Sequence, residues 1–206
     1  MSIFHYFFGN DKQRAKFVFN FIAPLYGKID QAIQNDYAKI CKQLNAAIPL
    51  EGNSVLDIGT GTGGWLASIG KYTQGELVGV DFSTKMIHQA EKNHPGIKFI
   101  HSDAENLDSF ADNSYDIVTA SFVLHGMKAP ERAIVMKEMK RIARKYVMIQ
   151  DFHKHTAPVI QFLEFMERSD YKNFKKNFVA EMDSNFKETK LVESASGNAV
   201  YVGLLG

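Results

Sequence analysis

Three acids, Asp57, Asp81 and Asp103, each stand where an apolar, strand-like run gives way to a turn. The first lies in Ser54-Val-Leu-Asp-Ile-Gly-Thr-Gly-Thr-Gly-Gly-Trp65, where Gly59, Gly61 and Gly63 alternate after the acid with Thr60 between the first two. Glycines there let the chain turn sharply out of a strand and let a ligand approach backbone N–H groups. A carboxylate just ahead of such a turn repels a pyrophosphate and suits an ammonium group. The ligand implied is a positively charged nucleoside with an amino-acid tail. Asp81 follows the turn by about 20 residues, the spacing at which an acid can take both ribose hydroxyls. Asp103, in Ser102-Asp-Ala104, offers a short carboxylate and a backbone N–H to an adenine edge. Ser121-Phe-Val-Leu-His125 ends a further apolar run, close to where a reacting group would lie. Any one of these acids could be only a helix cap. Their succession at consecutive strand ends favours a nucleoside site.

The elements that must position them alternate. Val55–Ile58, Leu77–Asp81, Ile97–His101, Tyr115–Ser121 and Tyr146–Gln150 read as buried strands. Between them fall a helix over 65–72, a helix capped by Ser83 and stopped by His94-Pro95-Gly96, and a helix opened by Pro130 and running to Ile142. That alternation predicts βαβ units, a mostly parallel sheet and helices on both faces. Upstream, Lys12–Leu25 reads as a short helix, and Ile29, Ile33, Tyr37, Ile40, Leu44 and Ile48 form an amphipathic stripe. Downstream, Pro158–Met182 is helical and rich in aromatics. Phe186–Glu193 and Ala199–Leu205 form a hairpin, so one closing strand runs antiparallel to the rest.

With 206 residues and no repeats or linkers, a single domain is expected over 1–206: a helical cap (1–49), a cofactor-binding core (50–152), a helical cover (153–185) and a closing hairpin (186–206). A net charge of +1 argues against nucleic acid bound through bulk charge. The lone Cys41 excludes an intrachain disulfide and fits the cytoplasm. No transmembrane segment or signal peptide is expected. Lys172, Lys175 and Lys176, interleaved with Tyr171, Phe174 and Phe178, leave peripheral membrane contact open.

Taken in order, these motifs resemble those of the class I S-adenosylmethionine-dependent methyltransferases. Val55–Gly63 is similar to their first motif, Val78–Met86 to the second, Ser102–Leu107 to the adenine-side motif, and Phe110-Ala-Asp-Asn-Ser-Tyr-Asp-Ile-Val118 to the run entering their fourth strand. The resemblance covers about residues 50–152. It implies an α/β, three-layer Rossmann-like fold with a mostly parallel seven-stranded sheet and an antiparallel C-terminal hairpin strand. It implies S-adenosylmethionine as cofactor, S-adenosylhomocysteine as product and a small-molecule acceptor. Asp57 and Gly59, Thr60, Gly61 and Gly63 would hold the methionine portion, and Asp81 the ribose. Phe82 and Met86 would pack on adenine, Asp103 and Ala104 would reach its amino edge, and Ser121 would line the transfer side.

The nearest subgroup resembles the ubiquinone/menaquinone-biosynthesis C-methyltransferases. Ala23-Pro-Leu-Tyr26 partly echoes their N-terminal motif and places Tyr26 over the cofactor, although Gly27 stands where they carry Asp. His125-Gly126 stands where they tend to carry Arg-Asn, and His125 is the candidate base. Asp151, His153 and His155 alternate after the fifth strand, but no metal is expected. A monomer or homodimer is expected. Two further readings stay open: a non-catalytic cofactor-binding or partner subunit, and an NAD(P)-dependent oxidoreductase. Asp57, the glycine spacing and the closing hairpin disfavour the oxidoreductase.

Overall fold

The computed structural model describes residues 35–104, 107–154, 156–167 and 169–206. The predicted helix over 12–25, the start of the stripe at Ile29 and the residue Tyr26 lie outside them. Element labels below number the described residues. A helix, α1, covers 35–47. It is followed by β1 (Val55–Ile58), α2 (Gly64–Ile69), β2 (Leu77–Asp81), α3 (Thr84–Asn93), β3 (Lys98–His101) and β4 (Tyr115–Ser121). A 3-10 turn at Leu124–Gly126 leads to α4 (Ala129–Ile142), β5 (Ala143–Phe152), α5 (Pro158–Glu167), α6 (Tyr171–Asn185), β6 (Glu188–Glu193) and β7 (Asn198–Leu204).

The seven strands form one sheet in the order β3-β2-β1-β4-β5-β7-β6. β7 is antiparallel to both of its neighbours, β5 and β6, while the other pairings are parallel. β1 and β4 are central, so Val55–Ile58 is buried throughout and reads as a continuous apolar run broken only by Asp57. Ile40, Leu44, Trp65, Leu66 and Ile87 cover one face of the sheet. Val135, Met136, Met139, Phe174, Phe178 and Met182 cover the other. The result is the expected three-layer α/β sandwich. Among the described residues no helix is long and apolar enough to cross a membrane.

Several boundaries differ from expectation for local reasons. α2 stops at Ile69 rather than 72 because Gly70 takes the C-cap. β5 starts at Ala143 rather than Tyr146; exposed Arg144 and Lys145 hide the strand's apolar alternation at that end. Ser83 occupies the N-cap of α3 without a side-chain capping bond, and its backbone N–H donates to Asp81 instead. The helical run after Pro158 is split, with Asp170 at the N-cap of α6. There Asp170 is held by Arg132, whose Nη1 lies 2.9 Å from Asp170 Oδ2. The guanidinium of Arg132, only 1% exposed, also makes a bidentate pair with Glu181 at 3.0 and 2.7 Å. It donates to the Met127 carbonyl and lies over the Phe174 ring. One cation thus fixes α6 to α4 and to the turn that carries His125.

Removing one member of a buried ion cluster leaves its partners unpaired and is strongly destabilising. Arg132→Met is therefore expected to lower the unfolding free energy by about 3 kcal/mol, read as a shift of the urea midpoint by circular dichroism. A midpoint equal to that of the parent protein would show that the cluster does not hold α6 in place.

Candidate active site

The strand order reverses between β1 and β4, and in open α/β sheets the crevice at that point, beyond the carboxyl ends of the strands, receives the ligand. The glycine turn fills its floor. Gly59, Gly61 and Gly63 have φ of 68, 54 and 81°, in the left-handed region that side chains disfavour. A Cβ on Gly59 would also come within 2.6 Å of Val123 beyond β4, and one on Gly63 within 2.8 Å of Phe99. Both positions demand glycine for space as well as for conformation.

Asp81 locks this turn. Its Oδ2 accepts the Gly61 N–H at 2.9 Å and its Oδ1 accepts the Ser83 N–H at 2.8 Å. Burial raises its pKa from the ordinary carboxylate value, and the two N–H groups oppose that rise. The carboxylate therefore joins the end of β2 to the turn after β1 and to the start of α3.

Asp57 is different. It is 1% exposed, and neither carboxylate oxygen has a hydrogen-bond partner among the described residues. Burial pushes its pKa up to about 7; the nearby Thr60 hydroxyl, itself without a hydrogen-bond partner, pulls the other way, and the Asp81 carboxylate adds to the rise. A buried, unmatched carboxylate is costly. Behind a turn of left-handed glycines, it presents negative potential to whatever cation the turn cradles. That donor set fits the ammonium and sulfonium of S-adenosylmethionine and opposes a pyrophosphate.

The far side of the crevice is built from β4, β5 and α1. Ser121 Oγ lies 2.6 Å from Gln150 Oε1 and 2.9 Å from Tyr37 Oη. Tyr37 packs edge-on against Trp65, at 5.3 Å between ring centroids, and faces Phe122. Phe122 has φ of 52°, a conformation that costs a bulky residue about 1–3 kcal/mol. Its N–H donates to the Gln150 carbonyl, and its ring meets those of Phe152 and His125. Beyond it, His125 Nδ1 lies 2.8 Å from Asp151 Oδ1, and Nε2 lies 3.4 Å from Glu164 Oε1 on α5. Burial acts to lower the imidazole pKa; Asp151 and then Glu164 outweigh it and push the value up to about 10. His125 is held between two carboxylates that favour its protonated form.

Of the residues expected from sequence, Asp57, Gly59, Thr60, Gly61, Gly63, Asp81 and Ser121 sit at the carboxyl ends of β1, β2 and β4, around the crevice. Phe82 is exposed at the end of β2, Met86 is half-buried on α3, Asp103 is exposed beyond β3 and Ala104 packs partly on the core. His153 faces Tyr201 and Glu193; His155 lies outside the described residues. Among the described residues no group of three or more potential ligands could hold a metal ion. Sequence reasoning missed Tyr37, Gln150 and Glu164. Tyr37 was legible only as part of an apolar stripe, and Glu164 only as an acid on an aromatic helix.

Comparison with known proteins fits this geometry. Residues 55–146 match the family model of a methyltransferase domain. A demethylmenaquinone methyltransferase of Staphylococcus carnosus is 30% identical over 141 residues, 65% of this chain and 57% of its own length. One of Staphylococcus aureus is 29% identical over 160 residues, 73% of this chain and 65% of its own length. The matched stretch spans less than two thirds of either relative. A Thermotoga maritima S-adenosylmethionine-dependent methyltransferase, described as a possible histamine N-methyltransferase, superposes with a TM-score of 0.67 at 20% identity, over 91% of this chain and 98% of its own. The Synechocystis magnesium protoporphyrin IX methyltransferase with bound S-adenosylhomocysteine gives 0.62 at 16% identity, over 84% and 83%. These two likenesses are of fold: the Rossmann-like methyltransferase sheet with its antiparallel C-terminal strand.

The Asp57 geometry sets a pH dependence for this domain. Between the ordinary value of 3.8 and about 7, the folded state holds a proton that the unfolded state has released. Stability therefore falls as pH rises through that window. In ligand-free protein, Asp57→Asn is expected to match the parent near pH 4 and to be more stable above pH 7, by up to about 1.4 kcal/mol for each pH unit between the two values. Thermal melts at both pH values check this; a difference independent of pH would mean that Asp57 titrates normally.

Proposed function

We propose that the chain is an enzyme that transfers a methyl group from S-adenosylmethionine to a small-molecule acceptor and releases S-adenosylhomocysteine. The observation that carries this reading is the unmatched, buried Asp57 behind a left-handed glycine turn, within a methyltransferase domain. When bound, the cofactor supplies an electrophilic methyl group on a sulfonium. The Gly59–Gly63 backbone, held by its own hydrogen bonds and bare of side chains at Gly59, Gly61 and Gly63, lets the amino-acid tail approach closely, and Asp57 offers the compensating charge. Asp81, already fixed by two N–H groups, has lone pairs left for the ribose hydroxyls. Phe82 and Met86 flank the adenine, with Asp103 and Ala104 at its edge.

The remaining task is to orient a nucleophile and exclude water, which is catalysis by proximity and desolvation. Tyr37, Ser121 and Gln150 supply the polar edge of the acceptor side, and Phe122 and Phe152 an aromatic wall. That wall suits a planar acceptor of the kind named for the Staphylococcus relatives, demethylmenaquinone. His125 occupies the position where that subgroup tends to carry Arg. Already protonated between Asp151 and Glu164, it acts as a positioning cation in place of the expected base. A cytoplasmic protein acting as a monomer or homodimer, without nucleic acid, completes the reading.

Titration calorimetry tests the donor. S-adenosylmethionine and S-adenosylhomocysteine are expected to bind and NADH to give no heat; the reverse would establish the oxidoreductase reading. Asp81→Asn is expected to weaken cofactor binding tenfold or more, about 1.4 kcal/mol, and near-normal affinity would place the ribose elsewhere. For His125, the pH–rate profile of the parent is expected to lack a limb near pH 6.5, with His125→Gln lowering kcat at unchanged KM for the cofactor. A limb near pH 6.5 that disappears in the variant would restore His125 as the base.

A further inference from the structure

Helix α5 turns two aromatic rings outward and an acid inward. Phe162 and Phe165 are 61% and 75% exposed, whereas Glu164 is buried against His125. Successive residues turn by about 100° around a helix, so Phe162 lies nearly opposite Glu164, and Phe165 follows Phe162 on the neighbouring outward strip. Two adjacent exposed rings are the kind of surface that marks an interaction site.

The charge around them is basic. Over residues 154–176 the sequence carries Lys154, Arg168, Lys172, Lys175 and Lys176 against Glu164, Glu167 and Asp170. Two of those acids, Glu164 and Asp170, are taken up by His125 and Arg132, and Lys154 is paired with Glu193, which leaves Arg168, Lys172, Lys175 and Lys176 against Glu167. Lys172 and Lys176 are exposed one helical turn apart on α6. Lys175 reaches back to the Lys154 carbonyl and to Thr156 Oγ1 just ahead of α5, so the basic turn of α6 adjoins the aromatic helix.

We propose that this face docks on an anionic lipid surface, with Phe162 and Phe165 entering the bilayer interface and Lys172 and Lys176 resting on the headgroups. An interfacial helix combines an apolar strip with flanking cations in this way, burying rings at the acyl boundary and gaining attraction from anionic lipid. The surplus of cations is what selects lipid over a neutral apolar partner. The face lies apart from Asp57 and Asp81, and the proposal does not depend on the identity of the methyl donor.

Vesicle flotation tests it, using phosphatidylcholine alone and phosphatidylcholine containing about a third phosphatidylglycerol. The parent protein is expected to float with the anionic vesicles and to be released by salt. Phe162→Ser with Phe165→Ser is expected to lower partitioning at least tenfold, and Lys172→Gln with Lys176→Gln roughly fivefold for each charge. Circular dichroism spectra and thermal melts of the same preparations, equal to the parent's, show that the variants are folded. A parent protein that never floats, equal flotation on neutral vesicles, or a serine variant that floats as well as the parent would overturn the proposal. So would sedimentation velocity showing a dimer that the serine variant abolishes without any vesicle binding, which would assign the face to a second copy of the chain.

Discussion

The carboxylate of Asp81 is the constraint on which the glycine turn and its side of the crevice depend. It stands at the end of β2 and accepts one N–H from the glycine turn after β1 and another from the start of α3. The turn's left-handed glycines would otherwise be the most mobile stretch of the domain, since glycine loses more conformational freedom on folding than any other residue. Tying Gly61 to a neighbouring strand spends that freedom before a ligand arrives, so that less ordering is left to oppose binding. Beside it, burial raises the pKa of Asp57, and the Asp81 carboxylate adds to that rise.

The far side of the crevice uses a different device. There the chain leaves β4 through Phe122 in a strained backbone conformation and then presents His125 to carboxylates from two other elements. A buried imidazolium between Asp151 and Glu164 is an electrostatic staple that holds β5, the turn after β4 and α5 together. Arg132 does the same for α4 and α6. These two cations place the cover helices by charge, and that frees α5 to turn its aromatic residues outward.

Much of the glycine turn and its flanking strands was legible in the sequence because local rules determine it. A strand of four buried residues, a turn of alternating glycines and an acid near the end of the next strand have meaning from spacing alone. The hairpin that reverses β7 was legible for the same reason, through a short polar linker ending near Gly197, whose φ is 90°. The misjudged boundaries lay where side-chain patterning conflicts with tertiary pull. Exposed Arg144 and Lys145 mask the start of β5, and Asp170 breaks an otherwise helical run because Arg132 is there to receive it.

By itself the sequence determined the order of strands and helices, the glycine turn and the type of ligand that an acid ahead of that turn can accept. These follow from periodicity, backbone sterics and charge over short separations. Only the tertiary structure decided that Tyr37, 84 residues before Ser121, reaches the end of β4, that Asp151 and Glu164 share His125, and that Phe162 and Phe165 face outward. Those pairings join residues far apart in the chain. Which of many buried or exposed positions each side chain takes depends on the packing of whole elements, a quantity that no local pattern encodes.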